Sequence, residues 1–262
     1  MKETYYQDHW VSIEPERLER YESMFKWREQ QAPMLEPLQL GAGMTALDYG
    51  CGPGFVSLEM ARRVGEAGYV HALDINQQFV TRAQQRAREA GQSNIQYQLI
   101  GDEGIGVDDK SVDRVFCKNV LEYVPDVEHT LRSLRQSMKP GGRIQVIDSD
   151  WGFVIVEPWG AARTARFFAA ASPAFREPNI GRKLQGVLRD VGFEDIAVSV
   201  SASADNRGGS LAVLTNMRSY INTFDSLEAS EVDSMMAELE LAIESGHFLF
   251  VLPQFTVTAS NP

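Results

Sequence analysis

Long apolar runs, cysteine and clustered positive charge are all scarce in this chain, and each scarcity closes off a class of protein. No apolar stretch approaches the roughly 20 residues that cross a bilayer. The N-terminal MKETYYQDHW carries no signal-peptide core, so a cytoplasmic protein without a membrane span is expected. Two cysteines, Cys51 and Cys117, cannot build a disulfide framework, and no CxxC or His/Cys spacing points to zinc, so no metal is expected. Acidic residues outnumber basic ones 36 to 25, for a net charge of -11, and no Lys/Arg cluster interrupts that balance. Nucleic acid and anionic lipid are therefore disfavoured as partners. Repeats, low-complexity segments and long linkers are missing as well. Nothing in the sequence reads out an oligomeric state, and a homodimer is compatible with it.

What is present is an ordinary globular composition, 44% apolar and 23% charged, in a chain of 262 residues, enough for one large α/β domain. ERLERYESMFKWREQQAPMLEPL predicts an amphipathic helix that ends near Pro33 or Pro37. Strands and helices then alternate. Strands are predicted at 45–50, 69–75, 94–100, 112–119 and 143–150, with helices at 55–64, 77–91 and 126–142, the last closing in a Pro-Gly-Gly turn. Apolar strands separated by helices imply a parallel sheet covered on both faces. Beyond it come an aromatic-rich stretch at 151–179, a helix at 180–192, a strand at 193–202 and helices near 210–224 and 228–245. The organisation expected is a single domain over 1–262. It comprises an N-terminal helical cap (1–43), a core (44–202) with the aromatic insertion 151–179, a helical insertion (203–246) and a final strand (247–262).

The segment LDYGCGPGF (47–55) places three glycines directly after the first strand. A glycine-rich turn there lets backbone approach a ligand closely, with the next helix N-terminus aimed at it. A P-loop would need GK[ST], which is absent. A dinucleotide fingerprint fails in both registers, because Phe55 and Ser57 stand where its third glycine would be. The spacing is GxGxG.

LDYGCGPGF resembles the first motif of class I S-adenosylmethionine (SAM)-dependent methyltransferases. HALDIN, GDEGIGVDDKSVDRV, CKNVLEYVPD and LRQSMKPGGRIQVID resemble the segments that follow it in that family, in the same order. The resemblance is strong over 45–150 and looser over 180–258. It implies an α/β, Rossmann-like methyltransferase fold: a mostly parallel seven-stranded sheet with the last strand antiparallel and helices on both faces. It also implies SAM as cofactor and S-adenosylhomocysteine as product. Among the relatives it is similar to are small-molecule enzymes of quinone and natural-product methylation.

By that resemblance Asp48, Gly50, Cys51, Gly52 and Gly54 hold the methionine end of SAM, largely through backbone. Asp74 accepts hydrogen bonds from the ribose hydroxyls, with Ile75 beside it. A carboxylate suits this task because both of its oxygens only accept. As a bare sequence feature Asp74 would serve equally as cap of the helix that INQQ begins. Asp102, with Gly101 and Glu103, would meet the adenine, and Asn119 the methionine moiety. The acceptor is expected to be a small apolar or aromatic molecule in a pocket lined by Tyr21, Trp151, Phe153 and Trp159. A sulfonium methyl is already activated, so in-line positioning matters more than a dedicated base. His9, Tyr123 and His247 are the candidate bases, and the atom methylated is not written in the sequence. The fourth motif is CKNV rather than the [DN]PP[FY] of enzymes acting on base or glutamine nitrogens, which disfavours that group. Two rival readings remain open: a SAM-binding protein without catalysis, and a nicotinamide-dependent oxidoreductase, whose ribose Asp74 would also suit.

Overall fold

The computed structural model describes residues 3–101 and 104–262. Its centre is a seven-stranded sheet in the order β3-β2-β1-β4-β5-β10-β7. The strands are β1 (Thr45–Tyr49), β2 (Tyr69–Asp74), β3 (Ile95–Leu99), β4 (Val112–Lys118), β5 (Met138–Ser149), β7 (Glu194–Ser201) and β10 (Gln254–Ser260). Strands β1 to β5 pair in parallel, whereas β10 lies antiparallel between β5 and β7. The chain reverses strand order between β1 and β4. That crevice, outside the carboxyl ends of the strands, is where open α/β sheets place ligands.

Both sheet faces are apolar. On one, Leu47, Val115, Cys117 and Val146 pack against helices α5 (Val127–Ser137) and α7 (Ile180–Asp190) through Leu131, Leu134, Leu184 and Leu188. On the other, Ala46, Phe116 and Ile147 meet Met60, Leu35 and Leu38 from helix α3 (Phe55–Val64) and a 3-10 helix at Glu29–Leu38. A second apolar cluster joins helices α6 (Gly160–Ala171), α8 (Leu211–Phe224) and α9 (Ala229–Glu244) through Phe167, Leu214, Tyr220 and Leu239.

Three elements depart from the sequence expectation. The helix predicted over 16–38 is divided into α2 (Pro15–Phe25) and the 3-10 helix, within which Pro33 and Pro37 offer no N–H to an α-helical ladder, and a separate helix α1 (Tyr5–Val11) precedes them. Helix α5 stops at Ser137 and β5 begins at Met138, paired with Val112. The register then shifts so that Arg114 faces Arg143, a bulge that takes up the residues around Pro140. The expected final strand 247–262 is two strands in different sheets. β9 (Leu249–Val251) joins β6 (Ile155–Glu157) and β8 (Ala204–Asp205) in a small three-stranded sheet, and only β10 belongs to the main one. Pro253 lies between them and cannot donate to either ladder.

Candidate functional site

Sheet register brings the ends of β1, β2 and β4 together. The N–H groups of Gly50 and Cys51 both donate to the carbonyl of Leu73, at 2.8 and 2.9 Å, so the glycine loop is anchored on the end of β2. Asp74 completes the anchor: Oδ2 accepts from Gly52 N–H at 2.7 Å and Oδ1 from Asn76 N–H at 2.8 Å. Asn76, and not Asp74, caps helix α4 (Gln77–Glu89), its side chain accepting from Phe79 N–H at 2.9 Å. Each carboxylate oxygen of Asp74 thus keeps lone-pair capacity for a ligand. Asp48 lies deeper and accepts the Ser57 hydroxyl at 2.5 Å. Burial pushes Asp48 up to about 7, opposed by Ser57 and reinforced by Asp74. Burial likewise pushes Asp74 up to about 6 against the N–H groups of Asn76, Gly52 and Ile75.

The glycines divide by role. Gly50 has φ +76, and a Cβ there would stand 2.2 Å from Val120 Cγ2. Gly54 has φ +80, and its Cβ would meet Ala83 at 2.6 Å and the Tyr97 ring at 2.7 Å. Both are needed for loop packing. At Gly52 a Cβ would touch only Phe25, at 3.9 Å, so this backbone faces open space.

That space is a cavity of about 340 Å³, within the range of small-molecule sites, roughly 300–1,000 Å³. Asp48, Gly50, Cys51, Gly52, Asp74, Ile75, Gly101 and Asn119 all line it. Gly54 does not, because its turn packs against α4 and β3 instead. Asp102 and Glu103 lie outside the described residues; Gly101 and Gly104, which flank them, form an isolated bridge at the cavity wall. Asn119 holds φ +54 at the end of β4, and its Oδ1 is buried without a partner among the described residues.

The expected aromatic pocket is corrected. None of Tyr21, Trp151, Phe153 and Trp159 lines the cavity. Trp159 is a core residue, its ring 4.7 Å from Phe167 and its indole N–H on the carbonyl of Met235. Trp151 donates to Glu122 at 2.6 Å and stacks on Phe168. Phe153 sits on the surface beneath the Arg182 guanidinium. Tyr21 is buried between Trp10 and Phe25. The wall comes from the N-terminal segment: Gln7, Trp10, Met24, Phe25, Gln31 and Met34. Aromatic content was visible in both segments, but only the path of the chain decides which one covers the strand ends.

Of the three candidate bases, only Tyr123 lines the cavity. Burial and neighbouring Glu122 push its phenol well above the ordinary value, which makes it a hydrogen-bond donor and a poor base. His9 is buried behind the wall, with Nδ1 against the carbonyl of Tyr5 and Nε2 3.3 Å from the Tyr220 hydroxyl. Burial lowers it to about 3, so it stays neutral through the physiological range. His247 is exposed beyond α9 and pairs with Ser245, away from the cavity.

Lys118, which the sequence reading passed over, lines the cavity among Asp148, Glu122 and Asp48; burial lowers its ammonium and these three carboxyls oppose that shift. A lysine closing an apolar parallel strand was the available signal. Among the described residues, no group of three or more His, Cys, Asp or Glu side chains is placed to hold a metal ion, and no helix is long and apolar enough to cross a membrane.

A family profile described as a methyltransferase domain matches residues 40–174, more than half of the chain. Among curated relatives, an uncharacterized 37.1 kDa protein in transposon TN4556 of Streptomyces fradiae is 28% identical over 169 residues, 63% of this chain and 48% of that one. The ubiquinone/menaquinone biosynthesis C-methyltransferase UbiE of Klebsiella pneumoniae subsp. pneumoniae is 29% identical over 173 residues, 59% of this chain and 68% of the enzyme. The match therefore spans about half of the first relative's length and about two thirds of the second's. Among solved structures, a phosphoethanolamine N-methyltransferase 2 of Haemonchus contortus in complex with SAM superposes with a TM-score of 0.66 at 16% identity, over 98% of this chain and 60% of that one. The fold is thus the Rossmann-like one of such enzymes, and on the strength of the domain match the chain belongs to the methyltransferase-domain family.

Proposed function

We propose that this protein is a SAM-dependent methyltransferase that transfers a methyl group to a small apolar or aromatic metabolite by in-line displacement. The observation that carries the reading is Asp74. Its buried carboxylate braces the glycine loop and still opens onto a cavity that Trp10, Met24 and Phe25 also line. The similarity to a UbiE C-methyltransferase and the fold shared with a phosphoethanolamine N-methyltransferase support the same reaction class.

The residues present fit the cofactor. Gly52 leaves room for close backbone approach, and Asp74 offers acceptors for a ribose diol. When bound, the cofactor supplies an electrophilic methyl on a sulfonium. The work left to this chain is to hold the acceptor in line and to exclude water, which the wall formed by Trp10, Met24 and Phe25 is built to do. Among the described residues, His129 is the histidine that lines the cavity, at an exposed position of α5. The reading places the protein in the cytoplasm.

Calorimetry and thermal shift against SAM, S-adenosylhomocysteine, NADH and NADPH test the cofactor. Binding confined to the SAM pair supports the proposal, and binding of a nicotinamide, or of none of the four, overturns it. Turnover of radiolabelled SAM with an extract of small metabolites then separates an enzyme from a SAM-binding protein without catalysis.

A further inference from the structure

Lys118 closes β4 and, among the described residues, is the sole lysine or arginine that lines the cavity. Side chains alternate along a strand, so Lys118 leaves the sheet on the same face as Phe116, which also lines the cavity, while Cys117 between them packs on the other face. Its ammonium has no partner of its own. Nζ makes no hydrogen bond and no ion pair among the described residues, yet, unlike Asn119 Oδ1 beside it, it is not sealed from solvent. At the carboxyl end of a central strand, the space left open to it is the cavity.

Asp148, Glu122 and Asp48 are near enough to act on its charge, but each is bonded elsewhere. Asp148 accepts from the N–H groups of Leu121 and Ser149, both at 3.1 Å, Glu122 from the Trp151 indole at 2.6 Å, and Asp48 from the Ser57 hydroxyl at 2.5 Å. Burial raises all three above the ordinary carboxylate range, so they answer the lysine with less than full charge near neutral pH. Burial also lowers the lysine ammonium, the sign of a cation that has given up solvation without gaining a contact partner. Desolvated charges are as a rule paired, so an unpaired one open to a cavity calls for a ligand atom.

The chemistry of that atom is restricted. An ammonium only donates, so its partner is an acceptor, and an ionised oxygen answers its charge as well. Asp74, the proposed ribose partner, closes β2, with β1 between it and β4; at ordinary strand spacing the two strand ends lie about 10 Å apart. Lys118 therefore stands across the glycine loop from the ribose end of the cofactor. Phe25, Phe116 and Tyr123 line the same cavity and suit the faces and edges of a flat ring.

We infer that Lys118 is a specificity-determining residue of the acceptor subsite, its ammonium pairing with an ionised oxygen, carboxylate or phenolate, on an aromatic methyl acceptor. This rests on the methyl-transfer reading above. Negative charge on the acceptor, and not ring size alone, then selects it.

The test uses two probes of nearly equal shape, benzoate and benzamide, titrated at neutral pH into the full-length protein loaded with S-adenosylhomocysteine. The wild type is expected to bind benzoate about tenfold more tightly than benzamide. Lys118→Met keeps the apolar stem and removes the charge; the preference should fall to about twofold or less, with S-adenosylhomocysteine affinity held within about twofold of wild type. Lys118→Arg keeps the charge and should retain part of the preference, which a merely structural lysine would not require. In protein with ¹³C-labelled lysine the Lys118 Cε signal should shift with benzoate and not with benzamide. That signal is assigned by elimination from Lys→Arg variants of the other lysines, so the measurement stands even where Lys118→Met does not fold. A preference retained in Lys118→Met, a Lys118 signal indifferent to benzoate, or failure of benzoate to bind the loaded protein overturns the assignment. A loss of S-adenosylhomocysteine affinity in Lys118→Met as large as the loss for benzoate also overturns it, by making the carboxylate of the cofactor the partner of Lys118. Failure of the wild type to bind SAM or S-adenosylhomocysteine at all is a different result and sinks the methyl-transfer reading itself.

Discussion

Gly52 N–H donates to Asp74 Oδ2 at 2.7 Å, so the carboxylate that ends β2 also fixes the glycine loop that follows β1. Loop geometry and ligand binding therefore depend on one side chain. Asp74→Ala is expected to weaken SAM binding by about 2–4 kcal/mol, the worth of two charge-assisted hydrogen bonds. Calorimetry checks this, and unchanged affinity removes the ribose role. Burial raises the carboxyl to about 6 in the ligand-free protein, and it accepts from both ribose hydroxyls with charge assistance only when ionised, so SAM affinity should fall as pH is lowered through about 6.

Asp48 bears on stability, with the same sign as Asp74. Burial raises its folded value from 3.8 to about 7, so the folded state holds a proton that the unfolded chain has released. Its contribution is full below about 4 and is lost as pH rises through about 7. Asp48→Asn, which can still accept from Ser57, should therefore raise the Tm of the ligand-free protein more at pH 8 than at pH 5. Equal shifts at both pH values, read by calorimetric melting, would contradict a buried carboxyl with a raised value.

Gly50 and Gly52 separate folding from binding. Gly50→Ala puts a Cβ into Val120 at a backbone angle that side chains avoid, and should cost about 2–4 kcal/mol of stability in chemical denaturation. Gly52→Ala shares the left-handed backbone, at φ +52, but meets no close atom, so it should cost less stability than Gly50→Ala and its larger effect should be on SAM affinity. Denaturation midpoints and SAM titrations of the two variants together decide the point. Equal loss of stability in both would refute it.

Trp151 is expected to matter for stability alone. Its indole N–H donates to the buried Glu122 carboxyl, which Tyr123 also bonds, and Trp151→Phe removes one of these partners at a cost of about 1–3 kcal/mol. SAM affinity and acceptor turnover, measured on the folded variant, should stay near wild type. A selective loss of turnover would restore the aromatic segment to the acceptor pocket.

Much of the scaffold was legible because strand and helix periods, with the glycine turn between them, are local properties. Asp74 was legible because a carboxylate at the end of the second strand stands one strand over from the glycines in any sheet that reverses order between β1 and β4. The break at Pro253 was also written locally, yet its consequence was not: whether Leu249–Val251 continues the main sheet depends on β6 and β8, which are distant in sequence. Likewise Gly54 shares its spacing with Gly50 and Gly52, and only contact with Ala83 and Tyr97 reveals that its smallness serves packing.

The sequence by itself determined the alternation of strands and helices and the glycine turn after the first strand, since these follow from patterns a few residues long, whereas the bond from Gly52 N–H to Asp74 joins residues 22 apart. The tertiary structure decided which aromatic residues face the cavity. Trp10 and Trp151 are both indoles from segments near the strand ends, and nothing local distinguishes them. What separates them is that the Trp10 carbonyl is tied to Asn76 beside the site, whereas the Trp151 N–H is tied to Glu122 beneath it. Both are long-range hydrogen bonds that exist only once the chain has closed on itself.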